Sequence, residues 1–250
     1  MKFRLSELAM MFAALLLLAA PARADTIQLG GWWSTSGGGS ATIDFTGTNL
    51  DGQAVTGLHV SGGAGGLLAN NLTAGGASFQ AWCIDIFHTF SFPVSSTNNL
   101  VAGGAAGSLI SATKANDLGL LYTAHRADVE SRSSSTTNTA AFQLAVWEIV
   151  NEPGTAYNLG SGAFKASGTG AERAALWLSQ LRSISASQYR VDVWQVYGDA
   201  PLSGPTGRGA QDVAVFAPVA TVPLPGSAAL LAGGLGLLGW VARRRMGRKN

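Results

Sequence analysis

Apolar and polar residues alternate with a period of two in several short stretches, and that spacing predicts strands. In Thr42–Thr46, Ile43 and Phe45 fall on one face while Thr42, Asp44 and Thr46 fall on the other. The same pattern predicts strands at Thr26–Trp33, Ala54–Val60, Phe79–Phe90, Tyr189–Tyr197 and Asp212–Phe216. Three stretches follow helical spacing instead. Ala112–Ala127 carries Leu118, Leu121 and Tyr122, and Gly170–Leu181 carries Ala174, Leu178 and Leu181. Asn138–Asn151 carries the stripe Phe142, Val146, Ile149 and Val150. Asn138 or Thr139 is its expected cap, and Pro153-Gly154 its stop. Gly37–Gly39 and Ser61–Gly66 read as turn or loop. Strands, then helices, then strands predict an α+β fold, a β-sandwich or barrel-like sheet with a helical insert.

The two ends are patterned differently. Lys2 and Arg4 precede the apolar run Ala9–Ala20, and Ala22-Arg23-Ala24 follows it. That order predicts a signal peptide over residues 1–24, with the mature chain starting at Asp25. At the other end no charge occurs between Asp212 and Arg243. Gly226–Ala242 is apolar or small and, as a helix, would span about 25 Å. That is slightly short of a bilayer core, and Arg243, Arg244 and Arg245 can snorkel to close the gap. A single C-terminal transmembrane helix is therefore expected, with the basic cluster cytoplasmic and residues 25–217 exported across the inner membrane.

Net charge changes meaning once it is divided by region. The whole chain carries 16 Lys+Arg against 14 Asp+Glu, for +2. Residues 25–221 hold eight Lys+Arg against thirteen Asp+Glu, a net −5. The basic residues sit at the ends, so no nucleic-acid footprint is expected. One cysteine excludes an internal disulfide and multi-cysteine zinc sites, and no metal or cofactor is expected.

Val222-Pro223-Leu224-Pro225, the Gly/Ala/Leu segment and Arg243–Arg245 together resemble the PEP-CTERM sorting signal of Gram-negative bacteria, in its VPLP variant. The resemblance covers residues 218–250. It implies processing by an exosortase after signal-peptidase cleavage, then delivery to the cell surface or an exopolysaccharide-rich extracellular matrix.

On an unbroken strand Trp82, Ile84 and Ile86 share the core face, and Cys83 lies opposite with Asp85, about 7 Å away. Gln143 sits at the edge of the helical stripe, one turn before Trp147. Each residue alone has an ordinary reading: a small buried hydrophobe, and an amide at a helix–sheet junction. Together, Trp82-Cys83-Ile84-Asp85 and Phe142-Gln143-Leu144-Ala145-Val146-Trp147 resemble the aromatic-Cys-Ile-Asp and Gln-x-Ala-aliphatic-Trp motifs of bacterial thioester domains. The resemblance implies an internal thioester between Cys83 and Gln143. Trp82, Asp85, Trp147 and Glu148 are the candidate supports. Trp82 and Trp147 are expected as apolar walls, with Asp85 as acceptor of the thiol proton. His88, on the Trp82 face, and His125, on a helix, are alternative bases.

Three functions follow. The first is an exported thioester protein that attaches covalently to an amine or hydroxyl of a surface or matrix partner. It is consumed once and is not an enzyme. The second is a non-covalent structural or polysaccharide-binding matrix protein, suggested by seven Trp including Trp32-Trp33. The third is a Cys/His hydrolase using Cys83 with His88 or His125, which lacks a recognisable third residue.

Overall fold

A computed structural model describes residues 24–197 and 207–219. The chain divides into two compact units, Met1–Ala217 and Pro218–Asn250. The predicted signal peptide (save Ala24), the sorting residues Val222–Pro225 and Arg243–Arg245, and the expected transmembrane helix lie outside the described residues. Among the described residues, no helix is long and apolar enough to cross a membrane.

The fold is α+β. Its strands are β1 (Asp25–Trp32), β2 (Gly39–Thr48), β3 (Ala54–Ala64), β4 (Leu67–Asn71), β5 (Ala77–Cys83), β6 (His88–Thr89) and β7 (Val94–Ala102), then β8 (Phe164–Gly168), β9 (Tyr189–Val196), β10 (Gly207–Arg208) and β11 (Val213–Pro218). The helices are α1 (Ala112–Val129), α2 (Thr136–Asn151) and α3 (Ala171–Gln180). Six strands close a barrel in the order β1-β4-β5-β11-β9-β7. A separate three-stranded sheet has the order β3-β2-β8, and β6 pairs β10 in parallel.

One row of the barrel is apolar in register: Ile27 and Leu29 of β1, Leu67 and Ala69 of β4, and Ala81 of β5 are all buried. Trp82 points the other way, outward onto α2, where its ring lies 4.4 Å from Phe142. Burying these two faces supplies the drive for closure and for helix docking. Helix α2 begins two residues before the expected start, because Ser135 caps it by accepting from the Asn138 N–H at 3.2 Å. Its residues Thr139–Asn151 are all buried, so it lies inside the domain rather than on its surface.

Several expectations are corrected. The strand expected over Phe79–Phe90 ends at Cys83. Residues 81–87 are buried on both sides, so Cys83, only 3% exposed, belongs to the core as fully as Trp82 and Ile84. Strands β4, β7 and β8 carry no clear alternation, and their partners define them. Polar β7, for example, is held between β1 and β9. Gly39 and Ser61–Ala64 are strand, not loop. The glycines let the Trp32 indole lie flat across them: a Cβ on Gly63 would come within 2.6 Å of that ring, and one on Gly38 within 2.7 Å.

Candidate functional site

Cys83 sits where the barrel ladder runs out. The β4–β5 pairing ends at Leu67–Ala81, whereas β5 continues along β11 through Trp82–Ala214 and Cys83–Val213. The Ile84 N–H donates to Asp212 O on the β11 side. By alternation, the N–H and C=O of Cys83 point to the side that β4 has vacated. The Gln143 carboxamide fills that place. The Cys83 N–H donates to Oε1 at 3.2 Å, and Nε2 donates to the Cys83 carbonyl at 2.7 Å. Gln143 is 1% exposed, so an unpaired amide there would be costly, and the two bonds fix its orientation.

Past Cys83 the chain turns, and the turn gathers the remaining groups. The thiol donates to the Asp85 carbonyl at 2.9 Å. The Asp85 carboxylate accepts from the Phe87 N–H at 2.7 Å and the His88 N–H at 3.2 Å, both on Oδ1. Its Oδ2 lies 2.5 Å from His88 Nδ1. The expectation that His88 shares the Trp82 face fails for the same reason: the strand has already broken. Gln211 donates to the His88 carbonyl.

Burial pushes the Cys83 thiol well above its usual range, and the Asp85 charge adds to the effect. The Trp147 indole N–H acts in the opposite sense; it makes no full hydrogen bond but lies near enough to favour a thiolate. The resting sulfur is therefore a protonated thiol.

Cys83, Gln143, Asp85, His88 and Trp147 line one cavity of about 270 Å³, bounded on the far side by Ile43 of β2 and Val60–Gly63 of β3. Trp32, Phe90 and Phe92 complete an aromatic wall, with Phe92 edge-on to both Trp32 and Phe90 at 5.2 Å. Gly62 and Gly63 keep the opposite wall low.

The other candidates lie elsewhere. Trp82 does not line this cavity; it buttresses α2 through Phe142. Glu148 faces a different cluster. Its Oε1 accepts from the Asn158 N–H at 2.6 Å, its Oε2 has no partner, and burial pushes its pKa up to about 7. His125 stacks on Trp177 at 4.1 Å, outside the cavity lining. Spacing did not reveal Trp32, Phe90 and Phe92 as walls. Only the Trp32-Trp33 pair stood out beforehand, as a sugar platform.

A second opening lies where β5 and β11 diverge beyond their two paired positions. Trp33, Phe79, Trp82, Tyr122, Trp194 and Phe216 line this slot, and the Trp82 indole N–H is buried there without a partner. Among the described residues, no group of three or more His, Cys, Asp or Glu side chains converges as a metal site. No family model, no curated protein and no solved structure matches this chain.

Proposed function

We propose that the protein is an exported surface or matrix protein that forms an internal Cys83–Gln143 thioester and uses it to attach covalently to a partner. One observation carries the reading: the buried Gln143 carboxamide is clamped at both ends by the backbone of the residue that bears the thiol. Sulfur attacks Cδ, the C–N bond breaks, and ammonia leaves with the thiol proton. The clamp supports each part of this exchange. The Cys83 N–H already points at the oxygen that becomes the oxyanion, and the Cys83 carbonyl holds the departing nitrogen. The aromatic wall shelters the product from water. The acyl group is then stored until a nucleophile enters the cavity, and each molecule reacts once.

Export rests on the two ends of the chain. We assign residues 1–24 to a signal peptide and 218–250 to an exosortase sorting segment that passes through the inner membrane. The partner presents an amine or hydroxyl at the cell surface or in the exopolysaccharide matrix. The alternative is a non-covalent polysaccharide-binding protein, favoured by the aromatic slot between β5 and β11.

Intact mass of the purified full chain, beside Cys83→Ala, tests the proposal. The expected result is a wild-type deficit of one ammonia, absent in the variant and converted by methylamine to an adduct at Gln143. A full-mass wild type with an alkylatable thiol overturns it. Polysaccharide binding retained by Cys83→Ala then supports the alternative.

A further inference from the structure

We propose that the Trp147 indole N–H is the donor that holds the negative charge of the Cys83 sulfur, both when the thioester forms and when it is opened. This inference rests on the thioester reading and gives that exchange its stabiliser on the sulfur side. Trp147 follows Gln143 by four residues on α2, so the two side chains leave the same face of the helix. The Gln143 carboxamide takes the Cys83 backbone, and Trp147 lines the same cavity beside the thiol. Trp147 is only 6% exposed, yet its Nε1 is buried without a partner. Such an orphan donor needs a reason.

The resting state supplies the reason. The thiol donates its proton to the Asp85 carbonyl at 2.9 Å, and a protonated sulfur is a weak acceptor. A thiolate is a strong one. Neighbouring donors are committed elsewhere. Gln143 Nε2 goes to the Cys83 carbonyl and the Cys83 N–H to Gln143 Oε1. The Phe87 and His88 N–H groups go to the Asp85 carboxylate, and the Gln211 amide goes to the His88 carbonyl. The charges nearby oppose the thiolate: Asp85 and Asp212 add to the effect of burial, and Trp147 acts against them. His88, against Asp85, is the other titratable group of the lining, and among the described residues no Lys or Arg lines the cavity. Trp147 is thus a polar member of the site and not only an apolar wall.

In formation, sulfur bonds to Cδ of Gln143, the S–H proton passes to the Gln143 nitrogen, the C–N bond breaks and ammonia leaves. The indole N–H bonds the sulfur as it gives up its proton. In opening, a nucleophile bonds to the acyl carbon and the C–S bond breaks. Sulfur keeps the electron pair, rests as thiolate on the indole N–H, and then takes the proton that the nucleophile loses. The indole keeps its own proton throughout, so it stabilises charge without exchanging it.

Full-length wild type is compared with Trp147→Phe, which keeps an aromatic wall and removes the N–H. Intact mass follows the rate of methylamine addition. The Cys83 thiol that methylamine frees is then alkylated with iodoacetamide at one mildly alkaline pH. Both rates are expected to fall about tenfold or more in Trp147→Phe. The smaller ring widens the cavity, so lost packing alone would speed both reactions. Equal or faster rates in Trp147→Phe overturn the proposal, while the ammonia deficit leaves the thioester standing. A wild type without that deficit removes the thioester reading and this inference with it. If Trp147→Phe does not fold, the indole N–H proton resonance of Trp147 in methylamine-opened wild type decides. It is expected to move downfield as Cys83 ionises, and a resonance that stays fixed overturns the proposal.

Discussion

Helix α2 feeds two buried polar clusters, and they differ in kind. Gln143 reaches the rim of the barrel, where both of its amide atoms are paired with Cys83 and the group borders a cavity. Glu148, little more than one turn later, enters a cluster with Asn158, Glu152 and Lys114, where one of its oxygens is unpaired. Beside it, Asp117 of α1 is fully buried and satisfied by Arg182 at 2.8 and 2.9 Å and by the Tyr157 hydroxyl at 2.6 Å. The Glu148–Asp117 cluster holds more charge, yet the Cys83 cavity does not reach Glu148 or Asp117. Burial of polar groups therefore does not mark a site here. What separates the Cys83–Gln143 cluster is a nucleophile, an acyl carbon and an opening, all in one place.

Breaking the charged cluster gives the largest expected effect. Arg182→Met leaves the Asp117 carboxylate buried with only Tyr157, at a cost of about 3–5 kcal/mol in urea unfolding. The ammonia deficit should survive in the fraction that folds. If it is lost in folded protein, the two clusters are coupled through α2.

The second effect is a pH dependence. Burial raises the Glu148 pKa from 4.5 to about 7. The folded state therefore binds this proton more tightly than the unfolded state. Its contribution is fully present below pH 4.5 and is lost as pH rises through about 7, roughly 3 kcal/mol in all. Glu148→Gln should remove that slope from the stability–pH curve and keep the bond to the Asn158 N–H. An unchanged slope would assign it to another group.

Gln143→Glu sharpens the other side of the comparison. A carboxylate cannot donate to the Cys83 carbonyl, so one clamp bond is lost and a buried acceptor is left unpaired. The expected cost is about 2 kcal/mol, together with complete loss of methylamine labelling. The smallest effect is at the start of α2. Ser135→Ala removes a cap bond and should cost about 1 kcal/mol in thermal or urea unfolding, leaving labelling intact.

Much of this was legible before folding. Period-two alternation located β1, β2, β3, β9 and β11; burial alternates along β1 and β2, whereas Val191–Trp194 of β9 are buried on both faces. Helical spacing located α1, α2 and α3, although α2 is buried all round from Thr139 to Asn151. The Cys83 and Gln143 motifs were legible as a pair only through their resemblance to those of bacterial thioester domains, and the fold sets the Gln143 carboxamide on the Cys83 backbone. Strand β7 was not legible, because its row Val94–Ala102 is largely polar and is a strand only by virtue of its neighbours. The end of β5 was also hidden. Residues 81–87 are apolar enough to continue a strand, but the β4 partner is lost beyond the Leu67–Ala81 pair and the Asp85 carboxylate holds the turn that follows.

The sequence by itself determined the class of fold, the mildly acidic middle between basic ends, and the presence of a thiol at Cys83 and a carboxamide at Gln143. Those are properties of composition, period and functional group. Tertiary structure alone decided that Gln143 replaces a missing strand beside Cys83. It also decided that His88 joins Asp85 in the same cavity, and that Trp32 rather than Trp82 walls that cavity. Each depends on where a ladder ends and which surfaces meet across more than fifty residues of chain, and local alternation carries no record of either.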